Sequence, residues 1–148
     1  MTTQAVSSTE QLRLERHAVE TFYRAFSEQN PDLVDAVLAP HWEDIPLGPD
    51  QVPGPEGVKA IIRTFAQGFP DVKITVHDLM QLPGKIAVRA EITGTHLGEF
   101  FGIAATGRAV SFRLQEMHAL EGGRVVTTWH MEDLFGLFMQ LGQFPPAG

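Results

Sequence analysis

Between Val19 and Phe26 the apolar residues fall at Val19, Phe22, Tyr23 and Phe26, the i, i+3, i+4, i+7 spacing of one helical face. Ser7-x-x-Glu10 ahead of them, with Leu12, reads as a capping box that starts the helix. Asn30-Pro31-Asp32 opens a second, short helix, since Asn suits a cap and Pro the first turn. Its apolar face is Leu33, Val34, Val37 and Leu38, and Pro40 ends it. His41 to Ile45 reads as a short strand, and Pro46 to Pro55, with four prolines and two glycines, as a loop. Val58, Ile61, Ile62 and Phe65 make a third helical face, closed by Gly68.

From Pro70 the period changes from helical to two. Val72, Ile74 and Val76 alternate with Lys73, Thr75 and His77, and Ile86, Val88, Ala90 and Ile92 with Ala87, Arg89, Glu91 and Thr93. A third run, Arg108 to Leu120, and a fourth, Val125 to His130, flank Glu121-Gly-Gly-Arg124, a strong hairpin signal. Leu134 to Leu141 reads as a closing helical turn. The pattern predicts three helices, a four-stranded antiparallel meander and a small cavity between them: an α+β fold with the helices on one face of a curved sheet. One domain, 1–148, is expected, with residues 1–8 frayed and 143–148 a tail.

Composition narrows the function. The chain has 148 residues and no cysteine, which excludes disulfides, thiol nucleophiles and thiolate metal sites. A net charge of -7 with no basic cluster makes nucleic acid an unexpected partner. No stretch approaches the ~20 apolar residues of a membrane span, and the first residues lack the basic start and apolar run of a signal peptide. A cytoplasmic protein without a membrane partner is the expectation.

Gly54-Pro-Glu-Gly-Val-Lys-Ala60, Phe69-Pro-Asp71, Gly94-Thr-His-Leu-Gly-Glu-Phe-Phe-Gly102, Ala105-Thr-Gly-Arg108, Gly123-Arg-Val125, Trp129, Asp133 and Gln140-Leu-Gly142 occur in an order and spacing that resembles the SnoaL-like polyketide cyclases, or ester cyclases. The resemblance covers nearly the whole chain after Ser27. It implies the cone-shaped nuclear transport factor 2-like fold, a cavity for one small hydrophobic carbonyl compound such as a polyketide, no cofactor, no metal, and a homodimer formed through the outer sheet face. Enzymes of that family close rings by intramolecular aldol condensation, and the fold also hosts epoxide hydrolases and ketosteroid isomerases. Function therefore has to be argued at the site.

Two registers are open across the Gly-Gly hairpin. A two-residue loop puts Glu116 opposite Trp129; a three-residue loop with one bulge puts Glu116 opposite His130 and His118 opposite Thr128. The two differ by one residue, which turns a whole strand face over. The second register gathers Glu116, His118 and His130 on one surface, with paired Cβ atoms ~5 Å apart. The resemblance favours it, because the cyclases' catalytic aspartate matches His130 and the histidine assisting it matches Glu116. The family dyad is present with its two residue types exchanged. Either His130 is a general base oriented by Glu116, suited to removing a proton α to a carbonyl, or the two are a satisfied polar pair at the cavity rim.

Other candidates each carry two readings. His118 either hydrogen-bonds a substrate oxygen or caps the sheet edge. His96 continues an inward-facing strand pattern and is either structural or ligand-facing. Asp44, in Trp42-x-Asp44, roughly matches a ligand-facing polar position in the cyclases, or anchors its loop, and Trp42 is grouped with it at the substrate. Phe112 and Leu114 are expected in the cavity wall, and Trp129 outside, at the dimer contact. Asp133 reads as a cap. Phe22, Tyr23 and Phe26 read as core. A cofactor-free cyclase, isomerase or lyase leads; a non-catalytic ligand-binding module is the alternative, and a His/carboxylate metal site built from His96, His118, His130 and Glu116 has the weakest support.

Overall fold

The computed structural model describes residues 7–147. Helix α1 spans Ser8–Ser27 and starts as its sequence requires, with the Ser7 side chain accepting the Glu10 backbone N–H. A 3-10 turn, Pro31–Ala36, follows, then strand β1 (Leu38–Ile45), helix α2 (Pro55–Gly68), strands β2 (Lys73–Leu82), β3 (Lys85–Thr95), β4 (Ala109–Glu121) and β5 (Arg124–Glu132), and helix α3 (Leu134–Leu141). The strands form one curved, unclosed sheet in the order β1-β5-β4-β3-β2. The fold is the α+β arrangement expected of a nuclear transport factor 2-like chain.

The structure corrects the strand count. The four-stranded antiparallel meander is present, but β1 adds a fifth strand that runs parallel to β5, pairing Asp44 with Thr128 and Ile45 with Trp129. The strand also begins earlier than the sequence indicates, at Leu38, and passes through Pro40. An edge strand tolerates a proline because the missing N–H need not leave a gap in the ladder, and the β1–β5 register is irregular between Leu38 and Glu43.

The helices lie on the concave face. The aromatic stripe of α1, Phe22 and Tyr23 included, packs with Val58, Ile62 and Phe65 of α2 against Ile86, Val88, Ala90 and Ile92 of β3 and Val110, Phe112 and Leu114 of β4. Burial of this set is the main driving force for the fold. Polar clips fix the other end of α1: buried Glu15 accepts the Gly84 N–H at the β2–β3 turn at 2.9 Å, and Gln81 donates to the Leu12 carbonyl at 2.6 Å. Asp133 caps α3 by accepting the Gly136 N–H at 2.8 Å.

The β4–β5 hairpin decides what faces the helices. Gly122 and Gly123 both have positive φ, 57° and 76°, as a two-residue turn of the primed type demands. The register then shifts by one between Leu120↔Val125 and Ala119↔Thr127, leaving Val126 as the extra residue of a bulge. From there the pairing is His118↔Thr128 and Glu116↔His130. The second of the two registers is the one adopted, though the loop has two residues rather than three and the bulge lies inside β5. Among the described residues, no helix is long and apolar enough to cross a membrane.

Candidate functional site

The inner faces of β4 and β5, the end of β1 and helices α1 and α2 enclose a cavity of about 140 Å³. Phe22 and Phe26 of α1, Ile61 and Phe65 of α2 and Leu114 of β4 form apolar wall. Against it stand five ionisable groups: Tyr23, Asp44, Glu116, His130 and Glu132. An apolar chamber with a few convergent polar groups is the usual form of a small-molecule site.

His130 is held from both sides. Its Nδ1 lies 2.9 Å from Glu132 Oε1, and its Nε2 lies 2.6 Å from the Pro46 carbonyl oxygen and 3.4 Å from Asp44 Oδ1. Both of the Nδ1 and Nε2 partners are acceptors, which a doubly protonated ring satisfies. Burial opposes the charge on this ring, but Glu132, by hydrogen bond and charge, Asp44 and the Pro46 carbonyl outweigh it and raise its pKa to about 9. Asp44 in turn accepts a hydrogen bond from Gln51 at 2.8 Å. Burial raises its pKa, while Gln51 and the His130 charge work in the other direction.

Glu116 sits differently. Its side chain is 7% exposed, and burial, reinforced by the charge of Glu132 and opposed by His130 and Tyr23, raises its pKa to about 8. The Tyr23 hydroxyl donates to its Oε2 at 3.1 Å. Oε1 receives no hydrogen bond from the described residues. Below Glu116, the fully enclosed His118 has its Nε2 2.8 Å from the Tyr23 hydroxyl and its Nδ1 2.9 Å from Thr128 Oγ1. Trp42 Nε1 donates to the same Thr128 oxygen at 3.0 Å. Burial, and secondarily the His130 charge, depress the His118 pKa to about 3, so its ring is neutral.

Of the residues singled out from sequence, Glu116, His130, Asp44 and Leu114 line the cavity. The pairing of Glu116 with His130 needs correction: they are cross-strand neighbours, but the carboxylates that hold His130 are Glu132 and Asp44. His118 and Trp42 are sealed beneath the cavity and are not placed to touch a substrate. Phe112, also buried, lies farther along β4 in the core. His96 follows β3, stacks on Phe69 with ring centres 5.5 Å apart and has Nδ1 2.9 Å from Thr106 Oγ1, away from the cavity. Its Nε2 is buried without a partner. Of the four groups offered as metal ligands His96 lies apart from the other three, and no cluster of three or more His, Asp or Glu among the described residues is arranged to hold a metal ion.

Three site residues escaped the sequence reading. Glu132 follows His130 by two on the same strand face, a signal that period-two reasoning supplies. Tyr23, the chain's one tyrosine, was indistinguishable by spacing from the phenylalanines around it. Gln51 lies in a proline-rich loop that has no periodicity to read.

The family model of the SnoaL-like polyketide cyclases matches residues 17–141. The chain belongs to this family. Among solved structures of the same fold, TsrD from Streptomyces laurentii is 31% identical, with a TM-score of 0.82 over 89% of this chain and 97% of that one. A protein of Bacillus cereus ATCC 10987 assigned to the polyketide cyclases is 24% identical, with a TM-score of 0.81 over 93% and 85% of the two chains. IdmH from Streptomyces antibioticus, with the same assignment, is 26% identical, with a TM-score of 0.76 over 86% and 98%. No curated protein matches the chain. Family membership supports a cyclase-type function for this cavity.

Proposed function

We propose that this SnoaL-like chain is a cofactor-independent cyclase that performs acid–base chemistry on a small hydrophobic carbonyl compound such as a polyketide, with Glu116 transferring the proton and His130 supplying positive charge. The observation that carries the reading is a buried carboxyl group in an apolar chamber, directly across the strand pair from the His130 ring; burial pushes its pKa up to about 8. A proton-transfer group works best with a pKa near the working pH, and burial is the means by which folds bring a carboxyl there.

In this scheme Glu116 Oε1 removes a proton from the carbon α to a ketone. The enolate charge develops near His130, whose ring nitrogens remain on Glu132 and Pro46, so the ring acts through its field in a poorly solvated site. The enolate carbon then forms a bond to a second carbonyl carbon of the same molecule. The alkoxide produced takes the proton back from Glu116. Atoms and charge balance without a co-reactant, and the product is an isomer of the substrate. The roles differ from those implied by family resemblance, because both nitrogens of His130 are already engaged by the protein.

The test is exchange of the α-hydrogens for deuterium in a panel of hydrophobic diketones and polyketide esters, followed by NMR, with ring closure read separately in ordinary water, by mass spectrometry, as a new species of unchanged mass. Glu116→Gln should abolish exchange. Ligand that binds yet returns unexchanged and uncyclised from every member of the panel would instead favour a binding module. The outer sheet face exposes Met80, Leu82, Met117, Trp129 and Met131, which supports a homodimer; sedimentation giving a monomer at micromolar concentration would remove that part of the proposal.

A further inference from the structure

Trp42, Thr128, His118 and Tyr23 form an unbroken line of polar side chains from β1 through the sheet to Glu116, with successive contacts of 3.0, 2.9, 2.8 and 3.1 Å. Four buried polar groups in an otherwise apolar core are costly unless every member is satisfied. We infer that they constitute a directed hydrogen-bond chain that commits the Tyr23 hydroxyl proton to Glu116 Oε2, leaving Oε1 as the oxygen that exchanges protons with a ligand, and that Tyr23 is thereby a positioning residue.

The direction follows from counting donors. An indole N–H only donates, so Thr128 Oγ1 accepts from Trp42 and its own hydroxyl proton is free for His118 Nδ1. The neutral His118 ring then carries its single proton on Nε2 and donates it to the Tyr23 oxygen. The Tyr23 hydroxyl proton is left with one acceptor, Glu116 Oε2. Every donor is used once. The opposite tautomer would send two N–H donors to Thr128 Oγ1, which its two lone pairs accommodate, but it would spend the Tyr23 proton on His118 Nε2 and leave ionised Glu116 Oε2 without the donor that lies 3.1 Å from it.

Besides the neutral His118 ring, a link of the chain whose Nε2 lies 3.4 Å from Oε2, the charged groups that face Glu116 are His130 and Glu132 on β5 and Asp44 on β1. They act on the whole carboxyl, whereas the chain distinguishes its two oxygens. The arrangement deepens the cyclase reading, on which the word ligand in it rests, but its effect on Glu116 is measurable without substrate.

The experiment is a pH titration of the protonated-carboxyl infrared band of Glu116 in the full-length protein, using Glu116→Gln as the blank. Tyr23→Phe should raise the titration midpoint by on the order of one unit, the worth of one hydrogen bond to a charged group. Thr128→Val and Trp42→Phe form no contact with either Glu116 oxygen in this network. Each should shift the midpoint the same way by a smaller amount, because the His118 tautomer is no longer dictated. A midpoint unchanged in both of these folded variants overturns the chain, even if Tyr23→Phe moves it or fails to fold. Shifted midpoints in a protein that exchanges no α-hydrogen would leave the chain standing and remove the cyclase reading.

Discussion

Glu116 and His130 face each other across the β4–β5 ladder, yet neither is the other's hydrogen-bond partner. Each is anchored by a different part of the fold, Glu116 by α1 and His130 by its own strand and the segment after β1. The separation keeps one carboxyl oxygen and one positive charge available to the same cavity.

Stability should depend on pH in a way that reports both groups. Glu116 titrates at about 8 when folded against an ordinary 4.5, and His130 at about 9 against 6.5, so each binds its proton more tightly in the folded chain. Their contributions are complete at low pH and are lost as pH rises between the paired values. His118, depressed from 6.5 to about 3, acts in reverse and costs stability as pH falls through that interval. The three together give a plateau between about 4.5 and 6.5 and a decline above it, steepest up to 8. Thermal melts across pH 4 to 9 check this; in Glu116→Gln the plateau becomes a rise and the alkaline decline shallower.

If Glu116 is the base and His130 the charge that stabilises the enolate, kcat/KM rises as pH approaches 8 and falls above 9. The two limbs belong to the coupled pair rather than to single residues. Glu132→Gln removes the charge that raises both the His130 and the Glu116 pKa while leaving an amide oxygen able to accept from Nδ1, so both limbs of the profile should move toward neutrality. A pH–rate profile indifferent to Glu132→Gln would argue against a charged His130 in the mechanism.

Leu114 is 2% exposed and separates the cavity from the core beneath it. Leu114→Ala should cost about 2–5 kcal/mol, the transfer and cavity terms together, and enlarge the chamber. Urea unfolding measures the first effect; tighter binding of a ligand one ring larger measures the second.

Gly57 lies in the first turns of α2, where alanine is ordinarily the better helix former by about 1 kcal/mol. Here a Cβ would collide with the Val52 carbonyl, which belongs to the chain's own backbone and cannot swing aside. Gly57→Ala should therefore lower the melting temperature and weaken ligand binding, since Gln51, adjacent to Val52, holds Asp44. An unchanged melting temperature would show that the loop can yield.

Helices α1 and α2 and the inward faces of β3 and β4 were legible because each has an uninterrupted period: Ile86, Val88, Ala90 and Ile92 are all buried. The second expected helix, read as running to Pro40, is a 3-10 segment that ends at Ala36 without a side-chain cap from Asn30, and Leu38 and Pro40 belong to β1. The β4–β5 register was legible as one of two alternatives. Its origin was not, because nothing in Val125-Val-Thr-Thr128 marks which residue is extra, and Val125 and Thr128 both turn inward with two residues between them. The parallel pairing of β1 with β5 joins segments more than eighty positions apart, and no turn signal announces such a contact. Tyr23 was hidden for the same reason, its hydroxyl meeting a carboxylate 93 positions away.

The stretch from Asp44 to Gln51 carries much of the polar rim: one carboxylate, the carbonyl that engages His130, and the amide that secures the carboxylate. It connects an edge strand to α2 and meets the neighbouring strand β5 through the Pro46 carbonyl on His130. Selection can therefore lengthen, shorten or rewrite this single connector and change which molecules are admitted, while the buried Glu116 and the side chains behind it stay as they are.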